Sequence, residues 1–381
     1  MKGIYLDHNA TTRPHPAVIE EMRACLEDGW GNPSSTHAHG QKAKVLLEQA
    51  RSRVAALIGV DPEEIFFTSG GTEADNQALR SGAILRPEGA LLISSIEHSA
   101  VLDTGRNLAA AGRELHLLPV DAEGVLQLAA LDAALAQPVA LVSVMLANND
   151  LGTLQPLGEI ARRARACGAL VHTDAVQAAG KIPVSARELG VDLLSLSAHK
   201  IYGPKGVGAL FVRRGLELPA LLHGGPQERR LRAGTENLPG IAGFGKACEL
   251  AKAELETHSL HSQRLRDQLE HGILTSIPDT RFNGDPVQRL PNTTNLSFAG
   301  VMAEDLLLNL DLEGISVSLG AACQAESRKP NPVLLALGRT ETEARSSLRF
   351  SVGSDNTEAE ILRTLDVLQR TVTRLRGRGS R

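Results

Sequence analysis

The stretch LLSLSAHKIYGPKGVGALFVR, residues 193–213, decides how the rest of the chain is read. Leu193, Leu194 and Leu196 are apolar, Ser197, His199 and Lys200 crowd in behind them, and Gly203, Pro204, Gly206 and Gly208 then break any helix. Val207, Leu210, Phe211 and Val212 resume a buried-strand pattern. The prediction is strand, polar turn, glycine-rich turn, strand. A lysine held between two buried strands has little water around it, and burial disfavours its charged form. Such an amine is a nucleophile suited to a Schiff base. Taken alone, Lys200 reads equally well as a solvated turn lysine, the reading given to Lys205. Partners are needed to choose.

Working outward, LVHTDAVQAAGKIPV (170–184), ALVSVMLANNDLGTLQPL (140–157) and LLISSIEHSAVLD (91–103) each begin as an apolar strand and end in polar residues. Those ends carry His172, Asp174 and Gln177, then Asn148 and Asn149, then Glu97 and His98. Strands alternating with helices predict a largely parallel sheet whose strand ends gather along one edge. IFFTSGGTEADNQAL (65–79) adds a strand running through Gly70 and Gly71 into a helix, where backbone N–H groups reach a phosphate. It carries neither a Walker loop nor a GxGxxG fingerprint. Asp174 precedes Lys200 by 26 residues, about one strand-helix-strand step, so the two fall on neighbouring strand ends. A Schiff-base lysine with an aspartate for a pyridinium nitrogen is what pyridoxal 5'-phosphate (PLP) requires of a protein. His98 is placed to cover the ring in a chain only 3% aromatic. The competing reading of Asp174 is a helix N-cap ahead of AVQAAG.

Farther out the signals thin. HGGPQERRLRAGTENLPGIAGFGKA (223–247) offers Arg229, Arg230, Arg232, Gly234 and Thr235 to a phosphate or carboxylate, and an exposed basic loop has the same composition. GWGNPSSTHAHG (29–40) is predicted as a loop containing Asn32, a helix is expected over 42–58, and 241–274 is predicted as mostly helical. A change of composition near residue 258 divides the chain into a large domain, 14–258, and a small α+β domain formed by 1–13 with 259–381. The small domain carries Cys323, with Arg328 and Lys329 to favour a thiolate. It also carries Arg349, whose planar fork suits a carboxylate and which on residue type alone reads as a structural ion pair.

The whole chain, 381 residues with 42% hydrophobic and 22% charged, has ordinary globular composition. A formal net charge of -4 argues against direct nucleic-acid binding. Cys25, Cys167, Cys248 and Cys323 are widely spaced with no CxxC pair, which suits reduced cytoplasmic thiols and neither a disulfide framework nor a metal site. No apolar run is long enough for a membrane span, and none marks a secretory leader.

With these motifs in hand, the chain resembles the PLP-dependent cysteine desulfurases of the NifS/IscS type, in the class V aminotransferase group. SAHKIYGPKGVGALFVR carries most of the resemblance, and TSGGTEADN, EHSAVLD, ANNDLG, HTDAVQ and RAGTEN occur in the family's order. The resemblance implies PLP fold type I, an α/β fold with a mainly parallel seven-stranded sheet, assembled as a homodimer. It implies Lys200 as the Schiff-base lysine, Asp174 as the ring-nitrogen partner, His98 as the stacking and acid-base residue, and Gln177 at the ring hydroxyl. Gly71, Thr72, Ser197 and His199 would bind the phosphate, with Thr235 arriving from the other subunit. Asn32, Asn148 and Arg349 would hold the substrate carboxylate. Cys323 would accept sulfur from L-cysteine as a persulfide, releasing L-alanine, and pass it to an acceptor such as an iron-sulfur scaffold. Other PLP chemistries, selenocysteine lyase among them, and a non-catalytic binding protein on the same fold are the alternatives. Two departures stand out. SLGAAC replaces the usual SSGSAC around the nucleophile, and the long tail by which housekeeping members dock a scaffold is missing.

Overall fold

Short apolar runs bounded by glycines and polar turns build the central sheet. The computed structural model describes residues 3–320 and 329–379. Its first strands are β1 (Ile4–Tyr5), β2 (Ile65–Thr68), β3 (Ala90–Ser94), β4 (Leu115–Leu118), β5 (Val139–Ser143), β6 (Leu170–Asp174), β7 (Leu193–Ser197) and β8 (Gly208–Val212). Seven of them form one sheet in the order β2-β8-β7-β6-β5-β3-β4. The pairs from β7 through to β4 are parallel, and β8 runs antiparallel to both its neighbours. Every residue of β3, β5, β6, β7 and β8 is buried, as a sheet covered on both faces requires.

One face packs Val18, Leu47, Val54 and Phe244 onto Phe67, Val142, Val171 and Leu196. The other packs Ala74, Ala78 and Leu79 onto Leu91, Ile93, Leu141, Leu193 and Leu210. Small residues set the helix spacing on the first face. A Cβ at Gly245 would sit 2.6 Å from the Ala50 Cα, so the helices Ala38–Leu57 and Leu238–Ala253 pack backbone to backbone.

A second layer uses β9 (Thr280–Asn283), β10 (Thr293–Phe298), β11 (Ile315–Ser316) and β12 (Ser347–Ser351). The antiparallel order β12-β10-β9 lies against the helices Leu255–Ser276 and Glu358–Gly379. Leu265, Leu269, Leu296, Phe298, Leu306, Leu348, Phe350 and Leu368 fill its core, joined by Ile4 and Leu6 from the start of the chain. β1 reaches this core by pairing in parallel with β11.

Two helix boundaries differ from the sequence prediction. The helix expected over 42–58 begins instead at Ala38, because the His37 side chain accepts a hydrogen bond from Gly40 N (3.3 Å) and caps a turn that composition marked as loop. The helical stretch expected over 241–274 is two helices, Leu238–Ala253 and Leu255–Ser276, meeting at Glu254. Among the described residues no helix is long and apolar enough to cross a membrane.

Candidate active site

The carboxyl edge of the sheet opens into a cavity of about 400 Å³, within the range typical of small-molecule sites. Asp174 closes β6, and the turn Ala198–Lys200 follows β7, its neighbour in the sheet, so the predicted juxtaposition of strand ends is a property of the register. Lys200 Nζ enters the cavity and donates to the carbonyls of Asn9 (2.5 Å) and Ala10 (2.8 Å). Asp174 does not cap a helix. Its Oδ1 accepts from Val176 N (2.8 Å) in a turn. Burial raises the Asp174 pKa, opposed by the nearby His98 and Lys200.

His98 also lines the cavity and caps the helix Ser99–Ala110, with Nδ1 accepting from Ala100 N (3.1 Å). That bond leaves the neutral ring's proton on Nε2 and fixes the ring's orientation. Gly71 and Thr72 line the wall at the start of the helix Gly71–Leu85, which no side chain caps. Its first N–H groups are therefore left to an external anion. The backbone comes close here because it lacks side chains: a Cβ at Gly208 would sit 2.7 Å from the Gly70 Cα. Ser197 and His199 complete this end. His199 bonds Thr11 Oγ1 through Nδ1 (3.1 Å), and burial with the Lys200, Lys205 and Lys181 charges lowers its pKa to about 4.

Gln177 and Arg349 line the same space. Arg349, 2% exposed, donates through Nη2 to Asp7 Oδ1 (2.6 Å) and through Nη1 to Asp150 Oδ1 (3.1 Å), Asn149 O (3.1 Å) and Gly320 O (3.3 Å). It is thus an ion-pair residue at the edge of the cavity.

Three expected site residues are absent from this cavity's lining, Thr235 having been expected there only from a second subunit. Asn148 is outside the cavity lining, because its amide donates to Ile96 O (2.9 Å) while its Oδ1 accepts from Asp150 N and Leu151 N to close a turn. The adjacent Asn149 takes its place in the lining. Asn32 is exposed and folds onto its own loop, accepting from Ser34 N (2.9 Å). Thr235 is exposed and absent from this chain's lining. Cys323 and Arg328 lie outside the described residues.

The cavity and its surroundings also contain groups to which the strand-end reading gave no role. Asp75 and Glu97 line it at 1% and 4% exposure, each with a buried oxygen that has no hydrogen-bond partner among the described residues, although Asp75 Oδ1 lies 3.6 Å from His172 Nε2. Burial pushes both carboxyls well above the usual carboxylate range, and the charge of Asp174 adds to the shift. Beneath them His172 bonds Ser143 Oγ through Nδ1 (2.8 Å) and Ser195 Oγ through Nε2 (3.0 Å), and burial lowers its pKa to about 3. Asn9 is the larger omission. Its carbonyl receives Lys200 and Gln177, its Oδ1 receives Lys181 and Asn292, and its Nδ2 donates to Asn149 O and Thr293 Oγ1.

An amine, a buried carboxyl on the neighbouring strand, an imidazole and an uncapped helix start, arranged round one cavity, form the donor set that PLP needs. The chain matches the family model described as Aminotransferase class-V over residues 4–364. The chain belongs to this family. A relative named "Cysteine desulfurase" from Trichormus azollae is 47% identical over 377 residues, covering 99% of this chain and 94% of its own. A solved structure titled "NIFS-LIKE PROTEIN" superposes with a TM-score of 0.90 at 38% identity, covering 97% of this chain and 99% of that one. Another, titled "SspA in complex with cysteine", gives a TM-score of 0.81 at 34% identity, covering 93% and 100%. The class V fold is thus the fold of this chain, with the mainly parallel sheet expected from its sequence.

Proposed function

We propose that the chain is a PLP-dependent cysteine desulfurase that converts L-cysteine to L-alanine and transfers the sulfur to Cys323. The observation that carries this reading is the gathering of Lys200, Asp174, His98 and the uncapped helix start round one cavity, in a chain whose near full-length relatives bear that name. When bound, PLP supplies an electron sink for a substrate joined to it through nitrogen. Lys200 provides the amine that anchors it and, once released, a base for the substrate's Cα proton. Asp174 meets the ring nitrogen and favours a proton there, which makes the ring an electron sink. His98 covers the ring and carries a proton on Nε2. The Gly71 and Thr72 N–H groups, with Ser197 and His199, receive the phosphate. Arg349 is assigned to the substrate carboxylate, with Asn149 beside it in the cavity.

Cys323 attacks the substrate sulfur as a thiolate. The carbon–sulfur bond breaks, a sulfur–sulfur bond forms on Cys323, and the carbon skeleton takes up a proton to leave as alanine. The free-thiol pKa of about 8.5 leaves only a minor thiolate fraction at neutral pH, so the step depends on local positive charge. We take 14–258 as the PLP-binding unit and 1–13 with 259–381 as the unit bearing Cys323. The protein is proposed to act as a cytoplasmic homodimer, with Thr235 reaching the partner's phosphate site and a sulfur-acceptor protein receiving the product. Free Cys25, Cys167 and Cys248 support a reducing compartment.

Mass spectrometry of the PLP-loaded protein after L-cysteine tests the reading. The expected result is one added sulfur on Cys323 with release of alanine, both lost in Cys323→Ala. PLP bound at Lys200 with neither product would move the function to another PLP chemistry.

A further inference from the structure

We propose that Lys181 is a positioning residue that locks the Gln177 amide so that its Nε2 offers a donor to the cavity, where the hydroxyl oxygen borne by the ring of bound PLP would meet it and be held as the phenolate. The proposal rests on the PLP reading above and assigns a role to a lysine outside the cavity lining. Lys181 Nζ donates to Gln177 Oε1 (2.7 Å) and to Asn9 Oδ1 (3.3 Å). Gln177 Nε2 donates to Asn9 O (2.9 Å). A backbone carbonyl only accepts, so the atom facing Asn9 O must be the nitrogen, and the atom facing the lysine donor must be the oxygen. The two contacts agree, and the amide cannot flip without losing both.

Gln177 is 6% exposed and lines the cavity, and the second hydrogen of its Nε2 has no partner among the described residues. The Nε2 of this amide therefore has a donor to offer a ligand. Asn9 is held in turn, because Asn292 Nδ2 donates to the same Oδ1 (3.0 Å) while Asn9 Nδ2 is engaged by Thr293 Oγ1 (2.8 Å) and Asn149 O (3.0 Å). The lock thus draws on both layers of the molecule.

Lys181 is faced by the positive charges of Lys200 and Arg349, and with burial they push its pKa well below the usual lysine range. Either protonation state leaves at least two N–H donors, enough for both bonds. His8 and His199 also register its charge. Burial is the main cause of the lowered pKa in both, to about 4 in His199.

The test is the near-ultraviolet and visible absorption of PLP-loaded protein at neutral pH, read as the ratio of the phenolate band to the neutral-phenol band. Lys181→Met should move this ratio toward the phenol form by about tenfold, the size of a hydrogen bond to a charged oxygen. Lys181→Gln, which keeps a donor for Gln177 Oε1 without the charge, should stay close to wild type and serves if the methionine variant folds poorly. In a Gln177→Leu background the Lys181→Met change should have no further effect. An unchanged ratio in Lys181→Met, a shifted ratio in Lys181→Gln, or a full shift that persists without Gln177 would each overturn the proposal. Wild-type protein that fails to take up PLP would instead overturn the functional reading beneath it.

Discussion

Single side chains in this site are held by charge balance. Arg349 has a carboxylate on each side, Asp150 being 1% exposed and Asp7 partly so, and it binds both. Removing one partner of a buried pair costs far more than the pair contributes, because the remaining charge is stranded. Arg349→Ala should therefore lower stability by about 3–5 kcal/mol in urea unfolding. Adding Asp150→Asn should recover part of that loss, and a double variant no more stable than the single one would contradict the charge-balance account. His172 gives a pH prediction at the same scale. Its folded pKa of about 3 lies below the ordinary 6.5, so the unfolded chain takes up the proton first. The stability held by the neutral ring is complete above pH 6.5 and lost as pH falls toward 3, at up to about 1.4 kcal/mol per pH unit. Urea midpoints at pH 7 and pH 5 should fall less for His172→Gln than for wild type.

At the scale of elements, the segment Gln227–Arg230 holds the one run of consecutive non-glycine residues with positive φ among the described residues. Glu228, Arg229 and Arg230 have successive φ values of 42°, 53° and 70°, a conformation that costs energy at each non-glycine residue. The Glu228 carboxylate holds it in place, receiving Arg51 through two bonds of 2.8 and 2.9 Å and Phe67 N at 2.8 Å. Glu228→Ala should cost about 3–5 kcal/mol in urea unfolding, and limited proteolysis should then cut first within 226–236. A variant as stable and as protease-resistant as wild type would show that the strain is held some other way. None of this was legible in QERRLRAGTEN, whose arginines suggested an anion site by composition. The strand ends were legible, because apolar runs ending in Asp174, His98 or Lys200 announce their place on a parallel sheet. Residues placed by turns were not. Asn148 and Asn149 are adjacent and alike, and only the turn that consumes the first sends the second to the cavity. Asn9 lies in a polar bend whose partners are 140 to 342 residues away, a distance no local pattern reports. The helix start at Ala38 was hidden for a different reason, since it depends on a histidine cap inside a segment rich in glycine, proline and serine.

For the whole molecule, the proposed dimer has a built-in optical probe. Trp30 is the single tryptophan, 67% exposed and stacked on His39 at 4.7 Å, in the same loop as Asn32. Ile19 and Leu26 on the nearby helix Pro16–Asp28 are exposed as well. If this face meets a second copy, tryptophan emission should shift to the red on dilution, in step with dissociation measured by sedimentation. A monomer at all concentrations, or a dimer whose emission never changes, would remove this face from the interface.

The hydrogen bonds of Asn9 also bear on how the protein is made. Lys200 and Gln177 donate to a carbonyl in the first ten residues, and those residues are tied down by β11 and by Ser351. A ribosome adding about 5–20 residues per second delivers β11 roughly fifteen to sixty seconds after β1. Once β8 is complete, the seven-stranded sheet can form while the amino-terminal segment still has no strand to pair with. Closing of the pocket is therefore a late step in synthesis, and a nascent chain released short of Ser351 would carry Lys200 and Asn9 without the hydroxyl that tethers Asn9 N.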